Sequence, residues 1–179
     1  MTQAADPIQK ALEYMRYQGE KSFDDILALM DRTAGDWLRA LEGISEAQAT
    51  FKPGEEWSAR ELLGHLLLTN RGINQQIADM AGTESPRPAE RVRAMGATSE
   101  EYEGLPVDAL RDVIREVFDE TKALISSVAG SNKLDQKFPH PIFGPLNLKE
   151  WFAFHRVHAM DHIQQFDKIK ADAAYPATQ

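Results

Sequence analysis

Three of the five histidines, His155, His158 and His162, lie close together near the carboxyl end of the chain. His158 and His162 are four residues apart, so on an α-helix they project from one face, one turn apart, and Gln165 continues the same row. Two imidazoles at this spacing can bind one first-row divalent ion at about 2.0–2.2 Å without distorting the helix. A pair is weak evidence, because a buried histidine is often a hydrogen-bonded core residue. A metal site needs a third ligand.

The sequence around this pair predicts a helix from Asn147 to about Lys170. Asn147 can cap the first turn, and Glu150, three residues later, can bond back to it. Apolar residues recur at helical spacing at Leu148, Trp151, Phe152, Phe166 and Ile169. Because the row of histidines falls within this apolar stripe, we expect the imidazoles to face inward.

The candidate for a third ligand is His65, which lies in another predicted long helix. This helix begins at the cap Ser58, to which the side chain of Glu61 can bond back, and it ends near Gly82. His65 lies two turns into the helix, between leucines on or beside the buried face. Taken alone, it reads better as a core histidine.

Two further long helices and an amino-terminal extension complete the prediction. A cap-like pair, Ser22 and Asp25, begins the first long helix, which ends near Gly43, and Pro106 begins the third, which ends near Gly130. The connector 44–57 carries one short helical turn at Ser45 and Gln48, and residues 1–21 carry a short helical pattern without an assigned function. No strand alternation is evident. We therefore predict a single all-α domain, 1–179, built as a four-helix bundle.

The positions of the histidines along their helices indicate in which direction the helices run relative to one another. His65 lies about 10 Å from the start of the second long helix, whereas His162 and His158 lie about 12–18 Å from the end of the fourth. The rings fall at one height only if these helices are antiparallel. The long connection 83–105 permits a parallel step from the second helix to the third. The predicted topology is therefore up-down-down-up, with a long crossover between helices 2 and 3.

The connection 131–146 is rich in proline and apolar residues, so we expect it to pack over one end of the bundle. His140 lies there between two prolines. We interpret it as structural, although it can border a pocket.

Composition excludes several classes of function. The chain has no cysteine, so it forms no disulfide and offers no thiolate ligand or nucleophile. A net charge of −8, from 20 Lys and Arg against 28 Asp and Glu, argues against nucleic acid or an anionic membrane as the main partner. The sequence shows neither a secretory leader nor a long apolar run, so we expect a soluble cytoplasmic protein.

Two stretches resemble the DinB/YfiT-like metalloenzyme superfamily: WSARELLGHLLLTN and HPIFGPLNLKEWFAFHRVHAMDHIQQ. The likeness spans residues 22–170, with order and spacing preserved. It implies the up-down-down-up bundle and a divalent metal held by His65, His158 and His162. It also implies a small-molecule substrate and, as in many members, a homodimer. Relatives include thiol-dependent S-transferases, which use a low-molecular-weight thiol, and proteins described as hydrolases.

Three imidazole ligands leave an ion its full charge and an open position, which suits catalysis better than structural support. Such an ion can lower the pKa of bound water or hold a thiol as thiolate. All-imidazole ligation suits zinc, nickel or iron, and also copper. Two alternatives stay open: a non-catalytic stress-response or ligand-binding bundle with a structural metal, and a metal-free bundle whose histidines bond to one another or to Asn70 and Gln165.

The general base is not evident from the sequence. His155 lies on nearly the same face as the ligand row, and we place it beside the site as a candidate base. Gln165 is a candidate for orienting a ligand or a bound water. Asp161 is expected to point away from the metal face.

Overall fold

Seven helices and one β-hairpin make up the part of the chain that the computed structural model describes, residues 6–89 and 96–177. In order these are α1 (Pro7–Gly19), α2 (Phe23–Ala40), α3 (Glu46–Thr50), α4 (Ala59–Ala81), α5 (Glu100–Glu103), α6 (Val107–Val128), β1 (Phe138–His140), β2 (Gly144–Leu146) and α7 (Leu148–Lys170). None of the helices in these ranges is long and apolar enough to cross a membrane.

Four helices begin with a capping box. The side chain of the cap residue accepts a hydrogen bond from the backbone N–H three residues later, and the side chain of that later residue accepts one from the backbone N–H of the cap residue. The pairs are Ser22 with Asp25 (α2), Ser45 with Gln48 (α3), Ser58 with Glu61 (α4) and Asn147 with Glu150 (α7). Gly82 ends α4 in the left-handed conformation, at φ 74°. These boundaries confirm the helix starts predicted from the sequence. Each start could be predicted because the two residues that form its capping box are only three positions apart.

The four long helices, α2, α4, α6 and α7, enclose the core. Each of α2 and α4 packs against both α6 and α7. The largest side chains with less than 2% exposure include Trp37, Trp151, Phe118, Phe152 and Phe166. Aromatic burial on this scale is a main source of stability for such a bundle.

Contacts between α4 and α6 show that these two helices run in the same direction. The Arg71 guanidinium in α4 lies 2.9 Å from a carboxylate oxygen of Glu120 in α6. Further along both helices, Ser131, just beyond α6, donates to the carbonyl of Ala81. The crossover from α4 to α6, the second and third long helices, is therefore a parallel step, as predicted.

The other pairs complete the topology. In the α4–α7 pair, His65 contacts His158, and the later Asn70 contacts the earlier His155, so these helices are antiparallel. Helices α2 and α6 are also antiparallel, because Lys122 pairs with Asp31 whereas the earlier Arg111 bonds to the carbonyl at the end of α2. The order is up-down-down-up, which confirms the prediction.

The crossover 83–105 contains structure that the sequence did not predict. Residues 90–95 lie outside the described part, but the segment after them contains α5. Tyr102 of α5 is buried, and its hydroxyl accepts a hydrogen bond from the Arg71 guanidinium. The crossover is therefore fixed to α4 at this point.

A short hairpin lies in the connection 131–146, where no strand alternation is evident in the sequence. β1 and β2 pair antiparallel, with Pro139 opposite Pro145 and His140 opposite Gly144. Proline has no N–H to donate, so the proline pair occupies a non-hydrogen-bonded position, and three-residue strands of this kind show no alternation in the sequence. Leu146 is fully buried, so the hairpin packs onto the bundle.

The amino-terminal segment forms a helix that packs on α7. Asp6 caps α1 and Met15 is fully buried. Residues 1–5 of the predicted extension 1–21 lie outside the described part. The described remainder of the extension is thus part of the packed structure.

Candidate metal centre

Three imidazole nitrogens meet between α4 and α7. The Nε2 atom of His158 lies 3.2 Å from Nε2 of His65 and 2.9 Å from Nε2 of His162. One ligand atom from each residue lies within 4.8 Å of the other two. Ligands at 2.0–2.1 Å around a tetrahedral ion stand about 3.3 Å apart, so the two contacts of His158 match the spacing around one ion. The structure thus brings together the three residues that the sequence singled out.

Hydrogen bonds at the far side of two rings determine which nitrogen carries the proton. The Nδ1 atom of His65 lies 2.6 Å from the carbonyl oxygen of Ala97, and a carbonyl only accepts, so Nδ1 donates. The Nδ1 atom of His162 donates in the same way to Oε1 of Gln165, at 3.1 Å. In the neutral rings, both Nε2 atoms therefore present a lone pair toward His158.

Gln165 is itself held in place. Its Nε2 atom donates to the Asp161 carboxylate at 3.2 Å, which turns Oε1 toward His162. Asp161 is exposed and lies along the wall of the cavity beside the cluster. The sequence predicted only that Asp161 points away from the metal face. The signal for its bond to Gln165 is their spacing of four residues on one helix.

The number of available protons favours a cation at this point. Two of the three Nε2 atoms are unprotonated, so at most one N–H, on His158, can point into the cluster. That proton can make one good hydrogen bond and leaves the other short nitrogen–nitrogen contact without one. A divalent ion satisfies all three lone pairs, and the donor set is then three neutral imidazoles. His158 Nδ1 has no hydrogen-bond partner in the described part of the chain.

Burial keeps two of the rings neutral. It lowers the pKa of His158 well below its usual value, and the neighbouring His162 and His65 lower it further. Burial also lowers the pKa of His162, although its bond to Gln165 acts in the opposite direction. Neutral imidazole is the form that binds a metal, so both lone pairs are available at neutral pH.

The cluster forms part of the wall of a cavity of about 410 Å³. The rest of the wall is mainly apolar, and it includes Ile73, Pro141, Ile142, Trp151 and Phe154. A volume of this size suits a small molecule. A second opening, of about 660 Å³, is lined by Trp57, whose ring packs on His65, and by Gln165, the hydrogen-bond partner of His162.

His140 also lines the 410 Å³ cavity and is 6% exposed. Its ring packs against Trp151 and Phe154, with ring centres 4.8 and 4.6 Å apart. The Phe154 ring in turn stacks on His158. His140 therefore belongs to the same cavity as the cluster, whereas the sequence indicated only that it can border a pocket.

His155 lies outside the cluster, in the interior between α4 and α7. It is fully buried, and its Nδ1 atom lies 3.1 Å from Oδ1 of Asn70. Burial lowers its pKa to about 3. It does not lie along the 410 Å³ cavity, so this geometry does not support its role as a candidate base.

Comparison with known proteins agrees with this arrangement. Residues 29–166, which include all three histidines, match the sequence profile of the DinB superfamily. The chain belongs to the DinB superfamily. The resemblance read from the two sequence stretches is thereby confirmed.

Two proteins from Bacillus subtilis are similar to this DinB-superfamily chain, one in sequence and one in fold. The uncharacterized protein YuaE is 24% identical over an alignment of 143 positions, and the match covers 73% of this chain and 88% of YuaE. The solved structure of YfiT superposes with a TM-score of 0.67 at 12% identity, covering 88% of this chain and 90% of YfiT. YfiT is described as a probable metal-dependent hydrolase with an unusual four-helix bundle topology. The likeness supports the DinB-like fold, and the chemistry requires its own argument.

Proposed function

We propose that this protein is a metal-dependent enzyme that binds one divalent cation through Nε2 of His65, His158 and His162 and acts on a small molecule. The observation that carries the proposal is the convergence of three Nε2 atoms, two of them held as lone-pair donors, at the wall of a cavity. Within residues 6–89 and 96–177, no carboxylate or further histidine joins the three as a fourth ligand. A site with three protein ligands is typical of catalysis, whereas structural sites are usually closed by four.

The protein groups around the cluster have separate tasks. Ala97 and Gln165 hold two ligand rings in the tautomer that binds metal, and Asp161 fixes the amide of Gln165. A bound zinc, nickel or iron ion would supply Lewis acidity and lower the pKa of a ligand that occupies its open position. The apolar wall formed by Trp151 and Phe154 excludes water and packs against the body of the substrate.

Hydrolysis of a small carbonyl compound is the reaction that we favour. The apolar cavity accepts a substrate with one polar group and an apolar body, and a relative of the same fold is described as a probable metal-dependent hydrolase. The described wall offers no cluster of charged side chains for a large, charged co-substrate.

A thiol-dependent S-transfer is the second candidate, and one observation favours it. The 660 Å³ opening is lined by Trp57 and Gln165, which contact His65 and His162 of the cluster, and also by Glu55 and Lys168. A low-molecular-weight thiol with charged groups can enter there while an electrophile occupies the apolar cavity. The two openings would then hold the two substrates of one reaction.

The test is a matched screen of the two reactions on protein loaded with zinc, nickel or iron. One arm measures hydrolysis of 4-nitrophenyl acetate and related esters, and the other measures transfer of small thiols to 1-chloro-2,4-dinitrobenzene. We expect one arm to show turnover that chelation removes, that the ion restores and that His158→Ala lacks. A purified protein that binds none of these ions, or turnover that ignores the chelator, would refute the proposal.

A further inference from the structure

His140 is a buried polar residue that is not one of the three clustered histidines. It ends β1, with its ring enclosed by Phe143, Trp151 and Phe154. Only 6% of the residue is exposed, and His140 lines the cavity that the cluster also lines. A buried imidazole normally has hydrogen-bond partners for both nitrogens.

One of its nitrogens is satisfied by its own turn. Nδ1 accepts hydrogen bonds from the backbone N–H of Ile142 at 3.2 Å and of Phe143 at 3.3 Å. Two donors directed at Nδ1 require a lone pair there, so the proton of the neutral ring lies on Nε2. In the described part of the chain, no acceptor bonds to that Nε2–H. His140 lines the cavity, and the described residues leave this donor without a partner.

The ring also stays neutral. Burial lowers the pKa of His140 to about 4. Protonation would place a hydrogen on Nδ1, opposite the N–H groups of Ile142 and Phe143, and would break both bonds. The turn and the apolar surroundings therefore hold His140 as an uncharged donor.

We propose that Nε2–H of His140 donates a hydrogen bond to a carbonyl-type oxygen of the substrate and so positions that substrate beside the three-histidine cluster. The inference rests on the proposed function, because it places the acceptor in the same cavity. Phe154 links the two sites, because its ring contacts the ring of His140 edge to face and stacks on the ring of His158. A neutral donor beside apolar walls selects small ester, amide or hydroxamate groups over strongly charged ones.

The experiment uses benzohydroxamate, which combines an apolar ring with a carbonyl oxygen, as a probe of cobalt-loaded protein. Binding is followed by the visible spectrum of the ion, and the ion content of each variant is measured separately. We expect His140→Phe to keep the ion but to bind the probe about tenfold more weakly, the effect of one lost hydrogen bond. His140→Gln keeps an N–H donor of similar reach and should recover part of the affinity.

A second measurement does not depend on the ion. Nitrogen chemical shifts of the histidine rings in metal-free protein report the tautomer, and we expect the Nε2–H form for His140 at pH 7.5. The Nδ1–H form would overturn the inference, even if His140→Phe fails to fold.

The outcomes separate the two proposals. If His140→Phe keeps its ion and binds benzohydroxamate as tightly as the unaltered protein, this inference is wrong and the proposed function stands. If the unaltered protein binds no ion, both are wrong.

Discussion

Oε1 of Gln165 accepts the hydrogen bond of Nδ1 of His162 at 3.1 Å, one turn away on α7. The amide cannot turn over freely, because its nitrogen is bonded to the Asp161 carboxylate. An acceptor at this position holds the proton on Nδ1 and leaves the Nε2 lone pair for the cluster.

Replacing Gln165 with leucine should therefore weaken metal binding. The variant keeps the size of the side chain but loses the acceptor, so His162 is free to adopt the wrong tautomer. We expect a 10- to 100-fold loss of zinc affinity, measured by competition with a chromogenic chelator. Gln164→Leu, at the exposed neighbouring position, is the matched control. Equal affinities in the two variants would show that Gln165 does not orient His162.

His158→Ala should abolish stoichiometric metal binding, because His158 lies between the other two ligands. Elemental analysis of the purified variant is the measurement. His155→Gln is the control: His155 lies outside the cluster, so its loss should leave the metal content unchanged. Full metal in His158→Ala would disprove the ligand set.

The ion pair between Arg71 and Glu120 should contribute strongly to stability. The Arg71 side chain is only 5% exposed, and Glu120 accepts from it at 2.9 and 3.0 Å. Glu120→Ala leaves the guanidinium short of a partner, and we expect a loss of about 3 kcal/mol in the free energy of urea unfolding. Asp112→Ala removes an exposed pair from the same helix and should cost less than about 1 kcal/mol. Equal losses would contradict this assignment.

His155 should make the protein sensitive to acid. Its pKa is about 3 in the folded state and about 6.5 in an unfolded chain, so between these values only the unfolded chain binds the proton. Stability is therefore full above pH 6.5 and falls as the pH drops, by about 1.4 kcal/mol per pH unit for this one group. Unfolding of metal-free protein between pH 6.5 and 4.5 should show a slope shallower by that amount in His155→Gln. Parallel slopes would show that His155 takes up its proton without unfolding.

Most of the fold could be predicted because it depends on two kinds of sequence feature. These are capping pairs between residues close in the sequence, and the number of residues in each helix and connection. A capping box needs only two residues three apart, so the pairs at Ser58 and Asn147 fixed their helix starts. The length of the segment 83–105 allowed a parallel crossover, and rise per residue then placed His65 level with His158.

The features that could not be predicted depend on backbone contacts, and these do not follow from the identity of a side chain. The partner of His65 is the backbone carbonyl of Ala97, and any residue there would offer the same oxygen. The donor character of His140 follows from a turn closed by two prolines, which produces no strand pattern. The homodimer and the cytoplasmic location stay predictions.

The cluster joins positions far apart in the chain, since 93 residues separate His65 from His158. A cation shared by them would close a very large loop that the denatured ensemble leaves open, and it would bind the native bundle far more tightly than the unfolded chain. Each tenfold rise in free ion above its dissociation constant would then add about 1.4 kcal/mol to global stability. The melting temperature of the whole bundle would in this way report how much ion is present.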